Sequence, residues 1–321
     1  MADVATPSPG REASVVMCTH NPRPEILART LAALRAQTAP LGRWELLIVD
    51  NASTPPVAGQ VDLSWHPAAR VVREERTGLT HARLRGIAEA AAPLIVFVDD
   101  DNVLAPDYVE TAVRIGRDHP FLGAWGGAIL GEFAVEPPAC WGRWLGLLAI
   151  RDCRRVSWTN EPYGSQSTPV GAGMCIRRSV AEAYAAATAR DPFKIGLGRA
   201  GSSMMACEDT EMAHASFEFG LGVGLFPQLT LQHLIPAERL TVPYLERVVE
   251  GRQASVVVMR ALRGDTTPHP LSDHPAKRIY QVLRLPFMSS IDRRMLLAEV
   301  RGHRRGQALV REMQASRQAG V

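Results

Sequence analysis

Three consecutive carboxylates, Asp99, Asp100 and Asp101, follow directly on the apolar run Leu94-Ile-Val-Phe-Val98. Like charges so close repel one another unless a cation neutralises them, and hard divalent cations take oxygen ligands. Mg²⁺ or Mn²⁺ held by one or two carboxylates completes its shell with water and substrate phosphates. The triplet therefore points to a divalent cation that carries a phosphorylated substrate. The bland reading is a helix N-cap, with Pro106 opening the next helix, but a cap needs only one acidic residue.

The elements that must position these groups follow from the patterning. The run before the triplet reads as a buried strand, too short to span a membrane, and ligands of open α/β sheets bind outside the carboxyl ends of the strands. Ser14 to Cys18 predicts a first strand ending at Thr19-His-Asn-Pro22, and Ile26, Leu27, Leu31 and Leu34 mark one face of a following helix. Glu45 to Val49 predicts a second strand, ending at Asp50-Asn-Ala-Ser-Thr54 before Pro55 and Pro56 break the chain. Val71-Val72 predicts a short third strand, and Thr80 to Ala91 a helix that Pro93 terminates. This β-α-β-(β)-α-β order predicts a mostly parallel sheet with helices on its faces, and polar residues gather after each strand. From Phe121 to Pro169 the pattern loosens into Gly, Pro and Trp with no clean period, as in functional or mobile segments. Pro169 to Arg178 regains strand character, Glu208 to Phe219 reads as helix and Gly222 to Leu231 as strand. After Thr241 the chain reads as helices, broken at 264–275.

Composition narrows the class. A chain of 321 residues with 46% apolar residues can bury a large core, and no apolar stretch reaches the length of a membrane-spanning helix. The polar N-terminus has no secretory apolar segment, and five cysteines without a CxxC pair read as reduced thiols, so the expected location is cytoplasmic. From His274 onward ten basic residues face three acidic ones, a net +7 that leaves −4 for the rest of a chain whose total is +3. Such a tail could meet the inner face of an anionic membrane, pack its apolar side on the remainder of the chain, or form a homodimer contact. It has few aromatics to stack on bases, and no nucleic-acid partner is expected.

Taken in order, the post-strand clusters resemble family 2 glycosyltransferases, which have the GT-A fold. Val15-Val-Met-Cys-Thr-His-Asn-Pro22 is similar to that family's first strand and Thr-x-Asn turn, and Glu45-Leu-Leu-Ile-Val-Asp-Asn-Ala-Ser-Thr54 to its second strand. Gly78-Leu-Thr-His-Ala-Arg-Leu-Arg-Gly86 resembles the Gly-x-x-x-Ala-Arg-x-x-Gly helix over the nucleotide. Asp99-Asp-Asp101 fits the DxD motif, Glu208-Asp209 the Glu-Asp pair that supplies the catalytic base, and His233-Leu-Ile-Pro-Ala-Glu-Arg-Leu-Thr241 a segment that follows the catalytic domain in bacterial members. The resemblance covers residues 14 to about 260. It implies a GT-A catalytic domain over residues 1–240, with a nucleotide-sugar half at about 12–105 and an acceptor half at about 106–240, and a C-terminal helical extension over 241–321.

The resemblance also implies a reaction. The expected activity is an inverting sugar transfer from a nucleoside diphosphate sugar, UDP-linked by preference, to a hydroxyl of a glycan, a lipid-linked or a small-molecule acceptor. Asp101, with Asp99 and His233, would hold Mn²⁺ or Mg²⁺, while Asp99 or Asp100 binds ribose hydroxyls or a metal-bound water. Asp209 would be the general base, ionised by the dipole of its helix, with Glu208 beside it. A carboxylate pair at a helix start is also common in its own right. Thr19, Asn21, Asp50, Asn51 and Arg83 would contact the nucleotide. Asp50 could accept from a pyrimidine N3–H, which favours uracil or thymine over cytosine, and Arg83 could stack on the base or reach a phosphate. Arg239 would close on the diphosphate. Trp141, Trp144, Gly171, Ala172 and Gly173 are expected on the sugar or acceptor side, and the two tryptophans, flanking a Gly-Arg step, look the most exposed of the Trp residues. Two departures stand out: Gly173 replaces an Asn usual in relatives, and His20 stands where an aromatic is common. Two other readings compete. One is a non-catalytic nucleotide-sugar or glycan-binding protein on the same fold. The other is a sugar nucleotidyltransferase, which should carry a Gly-rich loop after the first strand where this chain has Thr19-His-Asn-Pro22.

Overall fold

The computed structural model describes residues 10–161, 166–265 and 285–318. The first apolar runs form the strands β1 (Ala13–Thr19), β2 (Trp44–Asn51), β3 (Ala69–Glu74) and β4 (Leu94–Asp99), all parallel to their neighbours in the order β3-β2-β1-β4. Every residue of β1 and β2 is buried, as expected for strands covered on both faces. Register decides what happens at their carboxyl ends. Thr19 pairs with Asp50, and Cys18 with Asp99, so three clusters that are far apart in the chain finish in one row.

Helices cover both faces. Val15, Met17, Leu46, Ile48, Val96 and Val98 pack with α1 (Pro24–Arg35) and α3 (Tyr108–Asp118) on one side. Val16, Leu47, Val49, Ile95 and Phe97 pack on the other with α2 (Leu79–Glu89), α4 (Arg178–Thr188) and α6 (Glu208–His214). The helix after the acidic triplet begins only at Tyr108, with Asp107 in the cap position, so none of Asp99, Asp100 or Asp101 caps it.

Beyond β4 the sheet becomes mixed. The strand β5 (Asn102–Leu104) follows the triplet at once, β6 spans Leu122–Phe133, β7 Ser157–Thr159, β8 Cys175–Arg177 and β9 Gly222–Ile235. Parallel pairing persists between β6 and β9, while β8 runs antiparallel to both β4 and β6, and β5 and β7 run antiparallel to β9. Two expectations are corrected. The stretch after Phe121 is not irregular throughout, because its first twelve residues form the long central strand β6. Its glycines hide the period: at the β6–β9 irregularity after Gly127, a Cβ on Gly127 would stand 1.9 Å from the Leu229 carbonyl oxygen. Conversely, the strand expected over Pro169 to Arg178 shrinks to Cys175–Arg177, since the preceding residues turn along the cleft.

The C-terminal helices α7 (Val242–Leu262) and α8 (Ser290–Gln318) pack against each other, with the short α5 (Pro192–Ile195) near them. Ile291, Met295 and Ala298 of α8 join Leu245, Val249, Trp141 and Leu148 in one apolar cluster. Arg294 and Arg301 reach Glu246 and Glu250 of α7 at 2.8 and 3.1 Å. Met295 therefore faces protein, and within α8 Leu297 is the large apolar residue that is strongly exposed. Each fully buried aliphatic side chain is worth about 1.5–3 kcal/mol. Deleting the chain after Ser290 should thus remove about 5 kcal/mol or more, a loss on the scale of a whole domain's stability. The expected result is a poorly soluble protein with a lowered melting temperature; a truncation that melts like the full chain would show α8 to be dispensable packing.

Candidate active site

The acidic turn sits where β4 ends and β5 begins. Asp99 remains partly open, and its N–H donates to Asn102 Oδ1 at 3.0 Å. Asp100 accepts from the Thr19 hydroxyl, and its carbonyl accepts from Thr30 Oγ1 at 2.9 Å. Burial, reinforced by the charge of Asp101, pushes the Asp100 carboxyl up to about 7 and raises Asp99 as well. Asp101 behaves differently. Burial opposes its charge, yet His233 when protonated, together with the Arg239 guanidinium, holds it below the ordinary carboxylate range.

Those contacts bring together two side chains that could serve as metal ligands. Pairing of Asn102 with His233 across β5 and β9 brings the imidazole beside the turn. His233 Nδ1 lies 2.8 Å from the Leu148 carbonyl, to which it must donate, so a neutral ring turns its Nε2 lone pair inward. That Nε2 is 3.3 Å from Asp101 Oδ2, and Arg239 Nη1 reaches both, at 2.8 Å from the carboxylate and 3.3 Å from the imidazole. A positively charged N–H thus occupies the point on which a carboxylate oxygen and an imidazole nitrogen converge. This donor pair suits Mn²⁺ or Mg²⁺ when substrate phosphates fill the remaining positions. Among the described residues no group of three or more His, Cys, Asp or Glu side chains is arranged to hold a metal, so the protein alone would not complete the shell.

The second carboxylate pair opens α6. Glu208 is buried and accepts from Arg83 Nη1 at 2.7 Å. Burial raises its carboxyl above the usual range, and the guanidinium works against that rise. Asp209 stays partly exposed. One of its oxygens accepts the Gly171 N–H at 2.8 Å and the other the Thr210 N–H at 2.7 Å, which aims the carboxylate into the cleft. Arg83 lies beneath this arrangement, 3% exposed, with Nη2 3.6 Å from Asp99 and its guanidinium over Phe97. A Cβ on Gly171 would stand 2.1 Å from Arg83 Nη2, so the glycine lets the backbone close directly over the arginine. Arg83 is therefore committed to Glu208 and Asp99 and is not free to stack on a base. Arg85 points away and pairs with Glu89.

The cleft holding both acidic groups measures about 480 Å³. Thr19, Asn51, Arg83, Asp99, Asp100, Asp101, Gly171, Ala172, Glu208, Asp209, His233 and Arg239 all line it, so most of the residues singled out from the sequence converge there. Others serve nearby loops. Asp50 is 1% exposed and does not line the cleft. Its oxygens accept from Ser53 N and Val57 N, each at 3.0 Å, and from Arg73 Nη1 at 2.7 Å. Burial opposes the charge, but these bonds hold Asp50 below its usual range. The Asn51 amide ties down the following turn, donating to the Arg76 carbonyl at 2.7 Å and accepting from Gly78 N at 2.7 Å. Asn21 adopts φ +48° and accepts from Thr54 N at 2.8 Å, clamping the turns after β1 and β2 together.

The expected exposure of Trp141 and Trp144 is corrected. Trp141 is 5% exposed inside the cluster formed with α7 and α8, and Trp144 Nε1 donates to Asp292 Oδ1 at 3.0 Å. Both face the helical extension. The pattern misled because a Gly-rich, aperiodic segment looks the same whether its aromatics cover helices or meet solvent. Gly173 has φ +74°, and its carbonyl accepts from Tyr108 Oη at 2.7 Å. A Cβ there would come within 2.4 Å of that hydroxyl, so an Asn could enter only if Tyr108 moved. Sequence reasoning missed Arg199 and Tyr244, which also line the cleft. The Gly- and Ser-rich stretch around Arg199 was the one available signal for a loop bearing a functional side chain.

Comparison with known proteins agrees with this geometry. Residues 14–138 match the family described as Glycosyl transferase family 2. Over 130 residues the chain is 28% identical to a glucosyl-dolichyl phosphate glucuronosyltransferase of Haloferax volcanii, covering 39% of this chain and 40% of that protein. Over 104 residues it is 35% identical to a validoxylamine A glucosyltransferase of Streptomyces hygroscopicus subsp. jinggangensis, covering 31% and 24%. The curated relatives are matched over only 12% to 40% of their own length. The fold is similar to that of a mannosyltransferase from Pyrobaculum calidifontis solved with GDP-Man and Mn²⁺, with a TM-score of 0.54 at 19% identity over 99% of this chain and 79% of that one. Residues 14–138 thus carry the match to glycosyl transferase family 2, and they lie within a mixed sheet whose architecture is similar to the GT-A fold of that mannosyltransferase.

Proposed function

We propose that this chain transfers a sugar from a nucleoside diphosphate sugar to an acceptor hydroxyl with inversion, and that Asp209 is the general base. The observation that carries the reading is the Asp209 carboxylate, fixed by two backbone N–H groups in the cleft that also holds the acidic turn. Oδ1 accepts from both the N–H and the hydroxyl of Thr210, whereas Oδ2 accepts only the Gly171 N–H and keeps a lone pair to take the acceptor proton. Glu208 and Arg83 form the buried support below it. Glu208, the neighbouring carboxylate, is buried and paired with Arg83, which leaves Asp209 as the one carboxylate of that pair open to the acceptor, and direct displacement by the acceptor oxygen fits this arrangement better than a two-step route.

At the other end of the cleft, Asp101 and His233 would hold Mn²⁺ or Mg²⁺. When bound, the cation supplies charge stabilisation for the departing diphosphate. Arg239 must then give up one of its two contacts, and its guanidinium remains within reach of the phosphate region. The nucleoside would lie against His20 and the Thr77-Gly78 turn that Asn51 holds, at the ends of β1 and β2. UDP is the first nucleotide to test. The acceptor class is proposed from relatives named for glucosyl-dolichyl phosphate and for validoxylamine A, a lipid-linked and a small-molecule compound.

Nuclear magnetic resonance of the reaction on a panel of such acceptors tests the proposal. The expected products are a free nucleoside diphosphate and a glycoside of inverted anomeric configuration. Pyrophosphate release, or retention at the anomeric carbon, would replace the proposal with a different reaction.

A further inference from the structure

Five carboxylates line the cleft, Asp99, Asp100, Asp101, Glu208 and Asp209, against three arginines, Arg83, Arg199 and Arg239. An anionic donor entering so acidic a site needs positive partners. A divalent cation carries two charges, which only balance a diphosphate and leave the protein lining acidic. Arg83 is committed to Glu208, and Arg239 shares its guanidinium with Asp101. Arg199 differs from both: among the described residues its exposed side chain has no ion-pair or hydrogen-bond partner.

Its backbone, by contrast, is fixed. The Arg199 carbonyl accepts from Leu79 N at 2.8 Å, and the Ile195 carbonyl accepts from Thr80 Oγ1 at 3.0 Å, so the segment is fastened to the first turn of α2. Further along, Ala206 N donates to Ser255 Oγ at 2.9 Å, and a Cβ on Gly251 would stand 2.0 Å from the Met204 carbonyl oxygen. Residues 195–206 therefore form a strap between α2 and α7, fastened at both ends, with Arg199 on the cleft side. A guanidinium offers five donors in a planar fork that matches phosphate and carboxylate oxygens.

We infer that Arg199 is a specificity-determining residue that binds an anionic oxygen group of the donor beyond its nucleoside, the diphosphate or a carboxylate on the transferred sugar. The inference rests on the donor reading proposed above.

Calorimetry on the full chain, in Mn²⁺, separates the alternatives. The ligands are uridine, UDP, UDP-glucose, UDP-glucuronate and GDP, titrated into wild type, Arg199→Ala and Arg199→Lys. Charge-assisted hydrogen bonds of this kind are worth about tenfold or more in affinity. If Arg199 holds the diphosphate, Arg199→Ala loses about tenfold or more for UDP or GDP, uridine is unaffected, and Arg199→Lys recovers part of the loss. If it holds a sugar carboxylate, UDP affinity is unchanged and the preference for UDP-glucuronate over UDP-glucose disappears. Equal affinities in wild type and Arg199→Ala for all five ligands would overturn the inference, as would an equal loss for uridine, which would mark a structural role of the strap. Failure of wild type to bind any nucleotide would reject the donor reading itself, and the Arg199 assignment with it.

Discussion

Asp209→Asn is expected to bind donor as tightly as wild type and to lose about 10²- to 10⁴-fold in turnover, the range general base catalysis contributes. The base is needed only as the acceptor hydroxyl gives up its proton, so the loss should appear in the chemical step and not in donor affinity. The site geometry adds a detail. Both Asp209 oxygens accept a backbone N–H, from Gly171 and from Thr210. An Asn side chain has a single oxygen, so one of the two N–H groups must lose its acceptor and face an amide NH₂. A stability loss of about 1–3 kcal/mol is expected, the cost of leaving one partly buried donor unpaired. Melting temperature, donor affinity and single-turnover rate should therefore be measured on the same preparation. Turnover close to wild type on the true acceptor would remove Asp209 from the role of base.

Asp101→Ala is expected to abolish the Mn²⁺ dependence of UDP binding altogether while the protein remains folded. Asp101 is the one carboxylate of the triplet that meets both His233 and Arg239, and its loss removes the oxygen on which they converge. His233 should stay in place, because its other nitrogen is bound to the Leu148 carbonyl at 2.8 Å. The variant also removes one negative charge from an acidic cleft, so UDP binding in EDTA should be equal to wild type or slightly stronger. Asp101→Asn, which keeps the shape and an acceptor for Arg239, should likewise lose the Mn²⁺ effect. An undiminished Mn²⁺ enhancement in both variants would move the cation to other ligands.

The legible and illegible parts of this molecule differ for physical reasons. Strands β1 to β4 and helices α1 and α2 were readable because each is a strong apolar or 3.6-period run bounded by Pro, Gly or charge. The acidic turn stood out because three adjacent carboxylates repel one another, whereas the Glu208-Asp209 pair, common at helix starts, stood out only through the family resemblance. The partners of these groups were not readable. That Arg83 lies under Gly171 and pairs with Glu208, 125 positions later in the chain, depends on how β8 and α6 come to sit beside α2. Asp50 was expected to meet the base because the family's second strand, which this segment resembles, ends in such an aspartate, yet the turn that follows folds back and claims its oxygens. Strand β6 was hidden because close approach to β9 demands glycine where a strand would otherwise show side chains. Trp141 and Trp144 were misjudged because the surface they cover, α7 and α8, lies about a hundred residues or more further along the chain.

The most direct test of the central claim is a calorimetric titration of the wild-type chain with UDP-glucose, UDP-glucuronate and GDP-mannose, first with Mn²⁺ and then with EDTA. Asp101 and His233 offer too few ligands to fix a cation alone, so cation and diphosphate should bind together and each should strengthen the other. The account predicts that at least one of the three sugar nucleotides binds in Mn²⁺ and that its affinity falls by about tenfold or more in EDTA, a coupling within the usual range. Absence of binding by all three in either condition would contradict it.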